Sequence, residues 1–233
     1  MTAIKNFSIF EEKIGTKFNN AQLLEQAFTH RSYINENKKS RLGHNERLEF
    51  LGDAVLELVV TEYLYEKFPK ETEGDLTAYR SALVNANTLG DLARELGMEE
   101  FLLLSKGESK DTGRARQYIL ANTIEALVGA LFLDQGYPEA KRFISEYLFP
   151  LTERIVKEKL WLDAKSNFQE KAQELTGITP LYKKIDEIGP DHDKHFTVAV
   201  FLGEKNIAEG SGKSKQDAEQ EAARNALTAQ GWL

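Results

Sequence analysis

The stretch HNERLEFLGDAVLELVVTEYLYEKF, residues 44–68, is predicted to form one long helix that organises the chain. It has no proline, one glycine and many Leu, Glu and Val residues, which favour an uninterrupted helix. At about 100° per residue, its acids share a strip roughly 80° wide. These acids are Glu46, Glu49, Asp53 and Glu57, and the apolar residues predicted on the opposite face are Leu48, Leu51, Val55 and Leu58. No Lys or Arg lies between Arg47 and Lys67, whereas a merely solvated helix face usually mixes charges. The strip therefore indicates a cation site, with an ordinary solvated face as the alternative.

Composition limits the classes of protein to which the chain can belong. Its 233 residues, 41% of them hydrophobic, suffice for one large or two modest domains. The absence of cysteine excludes disulfides, thiolate metal sites and cysteine nucleophiles. No apolar run reaches the roughly 18 residues of a membrane span, and the N-terminus lacks a signal-peptide pattern. We therefore expect a cytoplasmic protein with no membrane partner. The net charge of −7 argues against a nucleic-acid partner, although a local basic patch can still bind phosphate.

A second informative stretch is ARQYILANTIEALVGALFLD, residues 115–134. Its pattern is helical and apolar on nearly every side, which predicts a buried helix. Glu125 is the one charge between Arg116 and Asp134. A carboxylate in such a helix is costly unless it is paired or binds a metal, and Asn122 shares its face. A structural acid bonded to an arginine is the alternative.

Few other catalytic arrangements are present. There is no G-x-S-x-G, P-loop or dinucleotide motif, and the four histidines lack metal-ligand spacing. What remains is a carboxylate cluster of Glu49 and Asp53 from one helix, with Glu125 and Asn122 from another. Oxygen ligands suit Mg²⁺ or Mn²⁺ rather than Zn²⁺, and such sites assist phosphodiester hydrolysis. No organic cofactor is expected.

The remaining N-terminal sequence is also predicted to be helical. Residues 7–36 show helical spacing with breaks at Gly15 and at 19–20, and residues 74–97 predict two helices that meet near 85–87. A polar, flexible loop is predicted at 105–114, and a helix at 138–160 is interrupted by Pro150. We place the domain boundary at 157–164, with domains at 1–157 and 164–233.

The periodicity changes from Ser166 onward. An amphipathic helix ending at Gly177 is followed by three alternating segments and a final helix, in the order α-β-β-β-α. Lys213 and Lys215 lie at the start of the last helix, where free N–H groups and the helix dipole favour phosphate. A short lysine-containing helix start is more often ordinary surface, so this observation alone is weak. The pair 183–184 is a second candidate basic patch.

These segments resemble the bacterial ribonuclease III family. HNERLEFLGDAVL resembles its signature, and ILANTIEALVGALFLDQG, QAFTHRSY and GDLTAYRSALVN resemble its other helical blocks. From Ser166 the chain resembles a double-stranded-RNA-binding domain, in SNFQEKAQE, GPDHDKHF and GSGKSKQDAEQEAA. The resemblance implies a multidomain protein, with an all-α endonuclease domain followed by an α+β RNA-binding domain.

The resemblance also implies an activity and residue roles. It implies a homodimer that cleaves double-stranded RNA with Mg²⁺, for which Mn²⁺ may substitute, in rRNA and mRNA processing, leaving 5′-phosphate and 3′-hydroxyl ends. The matched residues are Asp53 and Glu125 as essential acids, Glu49 as a metal ligand, Glu46 as an accessory catalytic acid, and Asn122 at a further metal position. The matched RNA contacts are Gln169, Glu170, His192, Lys213 and Lys215.

The chain departs from the family pattern at two positions. Asn122 stands where the family usually has Asp, and Gln216 where it often has Lys. The first change removes a ligand charge, so a non-catalytic RNA-binding protein remains an alternative to a nuclease with reduced activity. A structural helical dimer fused to a binding module is the third interpretation.

Overall fold

The computed structural model describes residues 5–38, 40, 42–110, 112–158, 161, 163–189 and 194–232. Its internal contacts divide the chain into two compact units, Met1–Trp161 and Leu162–Leu233. The domain limits 1–157 and 164–233 remain a prediction.

The first unit is helical in its described residues. Its α-helices are α1 (Phe7–Ile14), α2 (Ala21–Ala27), α3 (Arg31–Glu36), α4 (Glu46–Lys67), α5 (Glu73–Val84), α6 (Ala86–Glu95), α7 (Arg114–Gln135), α8 (Tyr137–Tyr147) and α9 (Leu151–Lys157). Two short 3₁₀ helices, Met98–Phe101 and Glu108–Lys110, lie between α6 and α7. The second of them gives regular structure to part of the segment predicted to be a flexible loop.

Side-chain caps explain where several helices begin. Asn20 accepts a hydrogen bond from the Gln22 amide at the start of α2, and Thr72 with Asp75 forms a capping box on α5. Gly15 ends α1 with a positive φ of 65°, a backbone conformation that favours glycine. The breaks predicted at Gly15 and near 85–87 are therefore confirmed, and each has a local cause.

The core of the first unit surrounds α7, which packs against α2, α4, α6 and α8. The middle of α7 is buried on nearly all sides, as its sequence predicts, and Phe10, Phe28 and Phe101 form an aromatic cluster beside it. On α4, Leu48 and Val55 are buried as expected, but Leu58 is 59% exposed. Leu58 is exposed because the buried side of this part of α4 is formed by Leu56, Val59 and Val60 instead.

The second unit has the predicted α-β-β-β-α order. Its elements are α10 (Ala164–Thr176), β1 (Leu181–Ile188), β2 (His195–Leu202), β3 (Lys205–Gly212) and α11 (Lys215–Gln230). The strands form an antiparallel sheet in the order β1-β2-β3, with a register shift between Lys184 and Asp186 on β1. The core is small and comes from both helices and the sheet. Its buried members are Ala164, Phe168, Val200, Ala222, Ala223, Ala226 and Leu227.

Across the described residues, no helix combines the length and apolarity that crossing a membrane requires.

Candidate functional site

The backbones of α4 and α7 lie in direct contact at two glycines. A Cβ atom on Gly52 would overlap the carbonyl oxygen of Glu125 and lie 2.7 Å from the amide nitrogen of Gly129. A Cβ on Gly129 would in turn overlap the carbonyl oxygen of Leu48. Only glycine permits this approach, and it brings the acidic strip of α4 beside the single acid in the middle of α7. The sequence analysis did not identify this role for the glycines, although two glycines facing acids in two long helices were a usable signal.

The contact brings four of the predicted site residues together. Glu49 and Glu125 are half-buried and Asp53 is exposed, and the three carboxylates interact electrostatically. The Asn122 side chain lies beside the Glu49 carboxyl, whose pKa it lowers. Glu46 lies at the edge of this group, where its carboxylate is 3.4 Å from Arg31 and 3.6 Å from His44.

Burial raises the pKa of the Glu125 carboxyl to about 8, and the neighbouring carboxylates of Asp53, Glu49 and Glu57 act in the same direction. The pKa of Glu49 is also raised, first by burial and then by Glu46, while the Asn122 side chain opposes the change. Within the described part of the chain, all the charged groups that shift Glu125 are acids. The buried Arg116 binds Glu99 at 3.0 Å and the Glu108 carbonyl at 2.9 Å. The alternative of a structural acid paired with an arginine is therefore not what the structure shows.

The donor set has the chemistry of a divalent-cation site. Three carboxylates and one amide oxygen, crowded without a base, would each be stabilised by a cation, and Mg²⁺ is commonly held by one or two carboxylates with water in its other positions. In the described ranges, no group of three or more acidic or histidine side chains is arranged to hold a metal ion. The residues fit Mg²⁺ by chemistry, and the ligand set Glu49, Asp53, Asn122 and Glu125 stays a prediction.

The raised pKa of Glu125 predicts how stability depends on pH. Its ordinary value is 4.5, so between about pH 4.5 and 8 the folded protein binds more protons than the unfolded chain. Stability without divalent metal should therefore fall as pH rises through this window. We expect the melting temperature in EDTA to decrease by a few degrees between about pH 5 and 8. Glu125→Gln should lack this part of the decrease, and equal slopes for the two proteins would contradict the assignment.

The structure describes four of the five predicted RNA contacts in the second unit. Gln169 and Glu170 are exposed on α10 and line an open groove. Lys215 is the first residue of α11, and Lys213 is exposed just before the helix cap Ser214. His192 lies outside the described residues. Lys184 pairs with Glu187 at 2.5 Å, so the 183–184 pair is a weaker candidate for phosphate.

Fold and site together define a helical nuclease domain followed by a domain that binds double-stranded RNA. The sequence profile described as Ribonuclease-III-like matches residues 20–151, and that of the double-stranded RNA binding motif matches residues 164–229. The chain therefore belongs to the ribonuclease III family, whose endonucleases act on double-stranded RNA.

Relatives support the same assignment over the whole chain. A protein named Ribonuclease 3 from Bdellovibrio bacteriovorus is 46% identical, covering 93% of each chain. Ribonuclease 3 from Streptococcus equi subsp. zooepidemicus is 44% identical, covering 94% of this chain and 95% of that protein. The solved nuclease domain of ribonuclease III from Campylobacter jejuni is 39% identical with a TM-score of 0.57, and covers 62% of this chain and 99% of that one.

Proposed function

We propose that this chain hydrolyses phosphodiester bonds in double-stranded RNA at the carboxylate cluster on α4 and α7, using Mg²⁺ or Mn²⁺, and leaves 5′-phosphate and 3′-hydroxyl ends. The observation that carries the proposal is the glycine-mediated contact of α4 and α7, at which Glu125 lies near Asp53 and Glu49 and, among the described residues, only acids shift its pKa through charge. Cytoplasmic precursors of rRNA and mRNA are the proposed substrates, as the family resemblance implies.

The chain's own residues have separable tasks in this proposal. Asp53, Glu49 and Glu125 would hold the metal with their charges, and Asn122, which lies beside Glu49, would add a neutral ligand. The metal, when bound, would orient the phosphate, activate a water molecule and offset charge on the leaving oxygen. Glu46, which is exposed and close to Arg31, would act at the edge of the site. The second unit binds the duplex by its shape, through the α10 groove and the start of α11.

A cleavage assay tests the proposal directly. A long RNA duplex with labelled ends is incubated with the full chain, with and without Mg²⁺, and the product ends are identified by phosphatase and ligation. We expect cleavage with Mg²⁺ and none in EDTA. Equal cleavage of single-stranded RNA, or cleavage in EDTA, would contradict the proposal.

Asn122 separates this proposal from the non-catalytic alternative. A neutral ligand should raise the Mg²⁺ concentration needed for half-maximal rate, because affinity depends on ligand charge. We expect slow but measurable cleavage at high Mg²⁺ or with Mn²⁺, and several-fold faster cleavage by Asn122→Asp at limiting Mg²⁺. The same variant should melt at a lower temperature in EDTA, because it adds a carboxylate beside Glu49, whose pKa burial and neighbouring acids already raise. If the wild type never cuts and Asn122→Asp does, the chain is a binding protein.

We also propose a two-fold dimer through the first unit. In the sequence, this dimer is predicted from the apolar residues Phe50, Leu51, Val55 and the 127–133 run, which are more than one small domain easily buries. The structure buries Val55 and most of that run inside the unit, whereas Phe50 is 82% exposed.

Phe50, Ala54 and Leu58 form an exposed stripe along α4 at i, i+4, i+8 spacing. A large apolar stripe of this kind usually marks an interface, and a two-fold axis would pair it with itself. The solved Campylobacter jejuni relative is described as having a region involved in dimer formation, which supports the proposal.

Sedimentation tests the dimer with a matched pair of variants. Leu58 and Ile9 are equally exposed, at 59% each, but Ile9 lies on α1. A charge on the α4 stripe would be desolvated in the dimer, so Leu58→Glu should shift the protein to monomer at micromolar concentration. Ile9→Glu should sediment as the wild type does. A monomeric wild type at that concentration would refute the dimer.

A further inference from the structure

Glu219 on α11 connects two lysines that come from different helices. Its carboxylate lies 2.7 Å from the Nζ atom of Lys165, at the start of α10, and 4.0 Å from that of Lys215, at the start of α11. The Glu219 side chain is only 15% exposed, whereas the two lysine side chains are 41% and 62% exposed. The Lys165 ammonium also lies 4.9 Å from the centre of the Tyr182 ring. Glu219 therefore holds a fixed position beneath two cations that solvent can reach.

The lysine pair joins the two helices that carry the surfaces proposed to contact RNA. Lys165 precedes Gln169 by four residues, so it lies one turn from the α10 groove on the same side of the helix. Lys215 belongs to the helix start that is proposed to bind phosphate. A duplex that contacts both surfaces must run its backbone between them, because such domains contact a minor groove and the adjoining major-groove phosphates.

We propose that Glu219 is a positioning residue for RNA binding, and that the Lys165 it holds is a further phosphate contact. The inference rests on the proposed function, in which this unit binds double-stranded RNA through α10 and the start of α11. An ammonium group has three donors, so Lys165 can donate to Glu219 and still donate to a phosphate oxygen. Holding the long side chains in place before binding reduces the conformational entropy that they lose when RNA binds.

Whether one substitution raises or lowers the affinity for RNA distinguishes this proposal from simple charge repulsion. If the Glu219 carboxylate merely repelled the RNA phosphates, Glu219→Gln would strengthen binding by removing a negative charge. If it positions the lysines, Glu219→Gln should weaken binding about threefold at 0.15 M salt, despite the gain in net positive charge. Glu219→Asp keeps the charge but shortens the reach, and it should also weaken binding. Affinity is measured by fluorescence anisotropy with the full chain in EDTA, which excludes metal-dependent cleavage. Unchanged or tighter binding by Glu219→Gln would overturn the proposal.

A salt series tests whether Lys165 itself contacts phosphate. Each phosphate contact adds about 0.9 to the slope of log affinity against log salt. When salt rises from 50 to 200 mM, the affinity of the wild type should therefore fall by a factor about 3.5 times larger than the factor for Lys165→Met. Lys171 is the matched control because its side chain is 43% exposed and it pairs with Glu174 on the same helix. Lys171→Met should keep the wild-type slope, and a wild-type slope in Lys165→Met would refute the contact.

Two further measurements keep the outcomes separate. Thermal unfolding of each variant shows whether the unit is folded at the assay temperature, and an unfolded Glu219→Gln leaves Glu219→Asp and Lys165→Met to decide. Lys213→Ala should weaken binding about equally for duplexes of different sequence, because phosphate carries no sequence information. If the wild type fails to bind duplex RNA, or Lys213→Ala has no effect, the proposed binding surface is wrong. If Lys213→Ala weakens binding and Glu219→Gln does not, only the positioning role fails.

Discussion

Replacing Glu125 with glutamine should abolish cleavage and leave RNA binding intact. Glutamine keeps the size of the side chain but cannot carry the charge that the site concentrates between α4 and α7. Loss of one catalytic carboxylate typically costs at least about 10² in rate. The proposed RNA contacts lie in the other unit, so duplex affinity in EDTA should remain within about twofold of the wild type. The measurements are single-turnover cleavage at saturating Mg²⁺ and anisotropy on the same duplex.

The same substitution should make the metal-free protein more stable above about pH 7. Burial and three neighbouring acids oppose ionisation of Glu125, so a neutral residue of the same shape relieves that cost. A loss of activity with a gain in stability is expected where a site is kept strained for function. Glu57→Gln is the matched control, because Glu57 is exposed on the same strip. It should cut at nearly the wild-type rate. Full activity in Glu125→Gln would show that the carboxylate cluster on α4 and α7 is not the active site.

The sequence was sufficient to predict the elements whose cause is local. The long helix is predicted at 44–68 and begins at Glu46 and ends at Lys67, because its apolar spacing and the proline after it act within a few residues. The strands of the second unit were predicted from alternation, and the buried face of α11, with Ala222 and Leu227, from helical spacing. The burial of Glu125 followed from the apolar residues around it.

The features that the sequence did not predict depend on contacts between distant residues. Nothing in the periodicity shows that Asn122 lies beside Glu49, because that proximity requires the two helices to be placed first. The same holds for the ion pair between Lys165 and Glu219. The exposure of Leu58 was not predicted, because a helix wheel gives the faces of a helix but not which of them a neighbouring helix covers.

The glycine contact leads to the second large effect, in which Gly52→Ala should destabilise the first unit. In an exposed helix this change is favourable by up to about 1 kcal/mol. Here the added Cβ would overlap the carbonyl oxygen of Glu125 on α7, and backbone atoms can give way only if the two helices separate. Overpacking of this kind typically costs about 1–3 kcal/mol, so the clash outweighs the gain in helix propensity. Separation would also move Asp53 away from Glu125.

We expect Gly52→Ala to lower the melting temperature of the first unit by roughly 3–10 °C and to reduce cleavage more than it reduces RNA binding. Gly74→Ala is the matched control, since Gly74 is exposed in the first turn of α5 and its Cβ would meet only the Thr72 hydroxyl, at 3.7 Å. That variant should melt at or above the wild-type temperature. Calorimetry of both variants in EDTA makes the comparison. Gly52→Ala could instead melt at the same temperature as Gly74→Ala and retain cleavage. The close approach of α4 and α7 would then not be what assembles the site, and the carboxylates would have to be brought together in another way.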